Sequence, residues 1–326
     1  MNDVYTKSRP LEESDSRTLV IRMAGRWMTH SQFEALIAEL DLLTQLRDDG
    51  RVLFVFDGRS GLPAGVGMRL LSLLNQLATV ETGSVELEFA TRDGLFGYLS
   101  RNGFFDFLDS RIVTTPGRPR YSGATLFRGR AGSLVEIAEL RPGLVGTDRD
   151  DAVTPLVSAL SRWYPKGRRA RHLQNCTFAT LTELIDNVYS HSETALPGYA
   201  ILQAYPNRHR PAVQIAVSDS GIGIPESIRR GLKDRVRKQS DGALIVRAFE
   251  KGLSRLGRQA GRSCGLPRCA QLASKFGSTV WVRTPSADVA LRPSSTEEGP
   301  LEATIHRPSS QLEGTHICLE FPLNAA

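Results

Sequence analysis

The chain of 326 residues carries 41 Lys and Arg against 35 Asp and Glu, a formal net charge of +6, and 40% of its residues are hydrophobic. That length exceeds the usual single domain and allows two separate cores, and the composition is that of an ordinary globular protein. A positive excess this small is spread along much of the sequence, so no nucleic-acid partner is expected.

No apolar run approaches the roughly 18–20 residues of a membrane helix, and the polar leader Met1–Ser16 lacks the hydrophobic centre of a signal peptide. A cytoplasmic location without a membrane partner is the expectation. Cys176, Cys264, Cys269 and Cys318 show neither C-x-x-C spacing nor an accompanying histidine cluster, so they read as reduced thiols, not as a zinc site or a disulfide scaffold.

After the leader, Arg17–Gly25 reads as a strand, and Ser31–Arg47 places Phe33, Leu36, Ile37, Leu40, Leu43 and Leu46 in a helical period. Val52–Phe56 is a short buried-type strand ending at Asp57, followed by a Gly/Pro-rich loop and a helical pattern over Met68–Ala78. Val85–Phe89 alternates as a strand, and Gly94–Leu108 predicts a short helix. Strand and helix alternating at these lengths predict an α/β layer.

The order of these elements, and the segment Val52–Leu74 in particular, resembles the STAS (anti-sigma-factor-antagonist-like) family. The resemblance implies a small mixed sheet with helices packed on one side. In many members it also implies a phosphorylatable serine between the Asp-ended strand and the next helix. Ala64 and Gly65 stand where that serine would be, and Ser60 reads as a turn residue. Residues 116–150 form a Gly/Pro/Arg-rich connector whose strand-like run, Ser133–Leu140, could join either domain. Lys166–Arg171 is a basic approach to a helix beginning near His172, either solvated or partner-binding.

That helix carries Glu183, Asn187 and His191 at i, i+4 and i+8, on one face, with Leu184, Ile185 and Val188 turned to a core. Gly198–Tyr205 and Ala212–Val217 read as a hairpin around Asn207–Pro211. The second strand runs into Asp219-Ser-Gly221-Ile-Gly223-Ile-Pro225. A carboxylate at a strand end can accept from an exocyclic amine, and glycines beside it let a ligand approach the backbone. A basic segment over Glu226–Arg262 leads to Gly261–Pro267, which opens an apolar helix through Phe276. Proline suits that first turn because its missing N–H would be unsatisfied anyway, and the orphan N–H groups of a helix start attract phosphate. Strands over Ser278–Thr284, Leu301–His306 and Gly314–Phe321 close the chain, with a Pro/Ser/Glu-rich loop over Pro285–Pro300.

Four motifs in this order resemble the GHKL ATPase superfamily, the group that contains gyrase, the heat-shock chaperone ATPase, histidine kinases and mismatch-repair ATPases. Glu183-x-x-x-Asn187 resembles the N box, Asp219-x-Gly221-x-Gly223 the first glycine box, Gly261–Leu266 the second, and Gly314-Thr315 the closing motif. The fold implied is an N-terminal STAS-like α/β domain at 17–115 followed by a GHKL (Bergerat-type) α/β sandwich at 151–326.

The resemblance implies ATP and magnesium as cofactors. Asn187 would hold the metal, Asp219 would receive the adenine amine with Thr315 in support, and Gly221 and Gly223 would let the base lie against the backbone. Gly261, Ser263, Gly265 and Leu266 would wrap the phosphates, although Ser263 replaces the usual middle glycine. Among the lid cations Lys251, Arg255, Arg258 and Arg262, the preferred phosphate contacts are Arg255 and Arg262. Glu183 stands where hydrolytic members have a general base. His191 is either near phosphate or a structural helix residue.

No pair of long amphipathic helices with an acceptor histidine precedes the ATP motifs, and Ala326 follows the last strand where a transducer domain would begin in gyrase-like members. Two expectations remain. One is an ATP-dependent enzyme, hydrolysing ATP or phosphorylating a protein serine as anti-sigma kinases do. The other is a regulatory module whose lid states select a protein partner or a homodimer.

Overall fold

The computed structural model describes residues 17–323 apart from 39, 93, 142–146, 165–166, 192, 254–264, 295–300, 307 and 309–311. Its first part follows the alternation in the sequence. β1 (Thr18–Met23), α1 (His30–Ala38), α2 (Leu42–Arg47), β2 (Arg51–Phe56), α3 (Ala64–Leu77), β3 (Ser84–Phe89), α4 (Leu95–Asn102), α5 (Phe104–Phe107) and β4 (Val113–Thr115) succeed one another. The four strands pair in the order β1-β2-β3-β4, every neighbour parallel. Parallel neighbours need crossovers, and crossovers of one hand stepping in one direction put the helices on one face of the sheet. Val52, Phe54, Phe56, Val85, Leu87 and Phe89 point into that helical layer and are buried.

Three details differ from the sequence reading. The single helix expected over 31–47 is two, because the Asp41 carboxylate accepts from the Thr44 N–H at 3.1 Å and starts a new helix. The helix expected over 94–108 breaks at Gly103, whose φ of +92° no ordinary side chain adopts readily. The sheet is wholly parallel where the STAS resemblance implied a mixed one, since each described connection between its strands is a helical crossover and none is a hairpin.

After α6 (Gly123–Phe127) the chain enters a second sheet through β5 (Leu134–Leu140). There follow α7 (Thr147–Arg162), α8 (Arg168–His191), β6 (Gly198–Tyr205), β7 (Ala212–Ser218), α9 (Ile224–Leu232), a single tight turn at Lys233–Arg235 and α10 (Asp241–Lys251). α11 (Gly265–Phe276), β8 (Thr279–Thr284), β9 (Ala287–Arg292), β10 (Glu302–His306) and β11 (His316–Pro322) complete it. The seven strands are antiparallel throughout, in the order β10-β9-β8-β11-β7-β6-β5. The connector strand therefore belongs to this second sheet, as its outer edge beside β6.

The loop expected over 285–300 contains β9, which forms a tight hairpin with β8 through Thr284 and Ala287. Asp288 disguised it, because a carboxylate inside an apolar run looks solvent-facing, yet Asp288 is 95% buried. No helix among the described residues is long and apolar enough to cross a membrane.

The two parts share a helix. Every residue of α3 except Gln76 is buried, its polar residues Arg69, Ser72 and Asn75 included. One side faces the parallel sheet; the other lies on β6, β7 and β11. A helix buried on both sides needs two such walls, and the polar groups it buries need partners there. α7, α8, α10 and α11 lie with the core side chains of the seven-stranded sheet in a separate apolar cluster, so the molecule stacks sheet, helices, sheet, helices.

Between the two parts lies a buried group of four charges. The Arg69 guanidinium on α3 meets Glu34 of α1 at 3.0 Å and Asp288 of β9 at 3.3 Å, and Arg283 of β8 meets Glu34 at 3.3 Å. Two cations and two anions cancel, and the second part supplies one of each. Removing one member of such a network leaves a buried charge unpaired and costs about 3–5 kcal/mol. The network fixes how α3 sits on the second sheet.

Candidate functional site

α8 positions the first motif. Leu184, Ile185 and Val188 are buried in the core, so Glu183 and Asn187 face outwards from the helix, Glu183 half-buried and Asn187 exposed. His191 is the last helical residue. Glu183 does not stand alone. Its Oε1 accepts from Arg268 Nη1 at 2.8 Å, and its side chain lies against Gly265, where a Cβ would come within 2.3 Å of Oε2. Gly265 is thus required to be glycine by the Glu183 side chain, and the first turn of α11 abuts the acidic end of the first motif. Burial raises the Glu183 carboxyl above its ordinary value, against the opposing pull of the Arg268 charge; Asp186 adds to the rise.

Asp219 follows β7 directly and is buried. Its Oδ1 accepts from the Gly221 N–H at 2.8 Å and the Thr315 N–H at 3.2 Å, while its own N–H donates to the Thr315 carbonyl at 2.9 Å. Oδ2 has no hydrogen-bond partner among the described residues. Burial pushes this carboxyl up to about 6, the two N–H donors holding it back from a larger shift. A carboxylate oriented by two donors at one oxygen, with the other oxygen unpaired, is a prepared acceptor for an N–H of a ligand.

Gly314 and Gly223 of these loops are demanded by backbone conformation and contact. Gly314 has φ +95°, and a Cβ there would lie 1.9 Å from the Asp219 carbonyl oxygen. Gly223 has φ +77° and caps α9, with Pro225 in the first turn. Gly221 is buried beside it. Gly198, which the motif reading passed over, opens β6 where a Cβ would strike the Ser218 carbonyl at 2.6 Å and Val188 of α8 at 2.7 Å. It brings the helix of the first motif onto the strand end that carries Asp219. A glycine at a strand start with no turn after it was the available signal.

Leu266 is half-buried and packs both on the main core and on the small cluster of Ile228, Val236, Leu244 and Ala248 beneath α9 and α10. Gly261, Arg262, Ser263, Arg255 and Arg258 lie outside the described residues. Lys251 is exposed in the last turn of α10. Other basic residues of this region are engaged structurally: Arg229 with Asp241 and the Gln239 carbonyl, Arg230 with Glu226 and Glu193. Arg268, also unremarked in the motif reading, holds Glu183. Only its place three residues after Gly265, in the first turn of a helix, hinted at that.

Glu183, Asn187, Gly265 and Leu266 therefore share one side of the domain through α8 and α11, and Asp219, Gly221, Gly223 and Thr315 share the loops at one end of β7 and β11. Residues 177–325 match the family model described as histidine kinase-, DNA gyrase B-, and HSP90-like ATPase. Those residues are a GHKL-type ATPase domain. Such a domain supports ATP binding and ATPase or kinase-type chemistry in general terms. No curated protein matches the chain.

The start of α3, where the STAS resemblance would place a serine, is sealed. The Ala64 N–H donates to the Tyr205 hydroxyl at 2.7 Å, and a Cβ on Gly65 would lie 2.8 Å from Cys318 Sγ. The Ser60 hydroxyl donates to the Met23 carbonyl and lies 2.9 Å from Asp57 Oδ1, a turn residue as expected. Cys176, Cys269 and Cys318 are free thiols; Cys264 lies outside the described residues.

Proposed function

We propose that the GHKL-type domain binds magnesium-ATP and hydrolyses it, with Asp219 as the adenine acceptor, Thr315 in support, and Glu183 as the general base. The observation that carries this reading is the unpaired Oδ2 of a buried carboxylate whose other oxygen is fixed by the Gly221 and Thr315 N–H groups. Gly221 and Gly223 leave the base room against the backbone. The residues fit the metal too: the exposed Asn187 offers one oxygen, which suits a cation that keeps several waters and completes its shell with phosphate oxygens. When bound, magnesium neutralises charge on the phosphates.

The chemistry asked of this chain is local. Glu183 takes a proton from water as the water oxygen bonds to the γ-phosphorus and the bond to the bridging oxygen breaks. A carboxylate whose proton affinity is raised by burial is the stronger base. Gly265 begins α11 beside it, and the orphan N–H groups of that helix start, with Gly261, Ser263, Arg255 and Arg262 before it, are the proposed phosphate wrap. Measurement of phosphate release by the full chain, with Glu183→Ala as control, tests the reading; equal release by both proteins would reject it.

A protein serine kinase differs only in placing a hydroxyl where water stands. Transfer of a labelled γ-phosphate to a co-purified protein would identify it. The N-terminal layer offers no acceptor at the start of α3, because Ala64 and Gly65 carry no hydroxyl. In either form we assign the protein to a cytoplasmic regulatory system, with a protein partner or a homodimer responding to the nucleotide state.

A further inference from the structure

The exception in α3 is informative. Gln76 is its only residue not buried, and its amide reaches the two backbone segments that build the Asp219 pocket. Nε2 donates to the Ser220 hydroxyl at 2.8 Å and to the Glu313 carbonyl at 3.2 Å, while Oε1 accepts from the Glu313 N–H at 2.9 Å. A backbone N–H can only donate and a carbonyl can only accept, so Glu313 fixes which way the amide faces.

Ser220 follows Asp219, and Glu313 precedes Gly314 and Thr315. The same two segments are also joined by the two bonds between Asp219 and Thr315. Gln76 thus spans the pair from behind. The helix bearing it cannot drift: Ser72 lies 3.4 Å from the Ser218 hydroxyl, Asn75 donates to the Tyr199 hydroxyl at 2.8 Å, and Arg69 sits in the buried charge network.

We propose that Gln76 is a positioning residue of the nucleotide site, through which the N-terminal layer sets the spacing of the Asp219 and Thr315 segments and hence the affinity for the adenine end of the nucleotide. The inference rests on the assignment of Asp219 to adenine. It makes the N-terminal part the back wall of the site. Disturbing the seat of α3 then weakens nucleotide binding without touching a residue that meets the ligand.

Calorimetric titration of the full chain with ATP, ADP and adenosine tests this. Gln76→Ala removes three hydrogen bonds and is expected to weaken all three ligands by the same factor, about tenfold, since the loss falls on the shared adenine end. Ile21→Val, which loosens the buried side of the edge strand β1 of the parallel sheet, is expected to lower the melting temperature and leave all three affinities unchanged.

Unchanged affinity in Gln76→Ala, or a loss confined to ATP, would overturn the proposal. A drop in melting temperature shared by Gln76→Ala and Ile21→Val with equal loss of affinity would also overturn it, as a purely structural effect. If Gln76→Ala does not fold, Gln76→Glu takes its place, because it keeps the acceptor for Glu313 N–H and places a second acceptor against the Glu313 carbonyl. The same equal loss is expected, and wild-type affinity overturns the proposal. Asp219→Asn separates the two readings: if it binds ATP as the wild type does, the adenine assignment itself fails.

Discussion

The two ends of the proposed nucleotide site are built differently. At the Asp219 end, polar contacts are made by backbone N–H and carbonyl groups at the ends of adjacent strands, glycines are enforced by contacts as close as 1.9 Å, and a second layer of the molecule lies behind. At the Glu183 end, the working groups are side chains on two helices: Asn187 is exposed, and Glu183 is held by Arg268, itself half-exposed. Backbone-built sites are set when the sheet forms and change little on binding. Side-chain sites on helix faces can re-pair. The Asp219 end is suited to recognition and the Glu183 end to chemistry and switching.

The largest effect separating the ends should come from Glu183→Ala. Loss of a general base costs about 10²–10⁴-fold in turnover, and the account expects ATP affinity within about twofold of wild type, since hydrogen bonds at the adenine end are intact. Single-turnover phosphate release with a parallel binding isotherm checks both halves. Asp219→Ala should do the reverse. It removes a charge-assisted acceptor and weakens ATP and ADP alike by about 30-fold, with turnover lost only through occupancy.

Asn187→Ala should weaken ATP by about tenfold when magnesium is present and have no effect in its absence; titrations with and without a chelator give the comparison. The smallest effect is the pH dependence of binding. With the Asp219 carboxyl at about 6, the ionised fraction falls as pH drops through that value. Affinity should decline about fourfold between pH 7.5 and 5.5, and the decline should be shallower in Asp219→Asn. The corresponding stability term has the opposite sign to that of a paired carboxylate. A raised acid favours the folded state more as pH falls from about 6 towards its ordinary 3.8, and costs stability above that window.

Much of this was legible in the chain. The E-x-x-x-N and D-x-G-x-G patterns sit where a helix face and a strand end place them, because their meaning depends on local periodicity alone. The nearness of Gly314-Thr315 to the Asp219 strand end was legible from the motif order, but the paired backbone bonds between Thr315 and Asp219 were not, since they depend on β11 lying beside β7. What escaped was non-local. Asp288 hid a central strand because its charge is neutralised by Arg69, which lies more than two hundred residues earlier and in the other part of the molecule. α3 could be recognised as a helix but not as one with two walls, since nothing in its own sequence says what covers its second side. Gln76 looked like an ordinary polar residue near a helix end; its partners lie 144 and 237 positions away. Arg268 was invisible for the same reason, its carboxylate being 85 residues off.

The central claim is that Asp219 receives the nucleotide, and isothermal titration of the full chain with ATP and magnesium tests it most directly. The account predicts saturable binding by the wild type and a large loss in Asp219→Asn, with the melting temperature preserved. Equal affinity in the two folded proteins would contradict it.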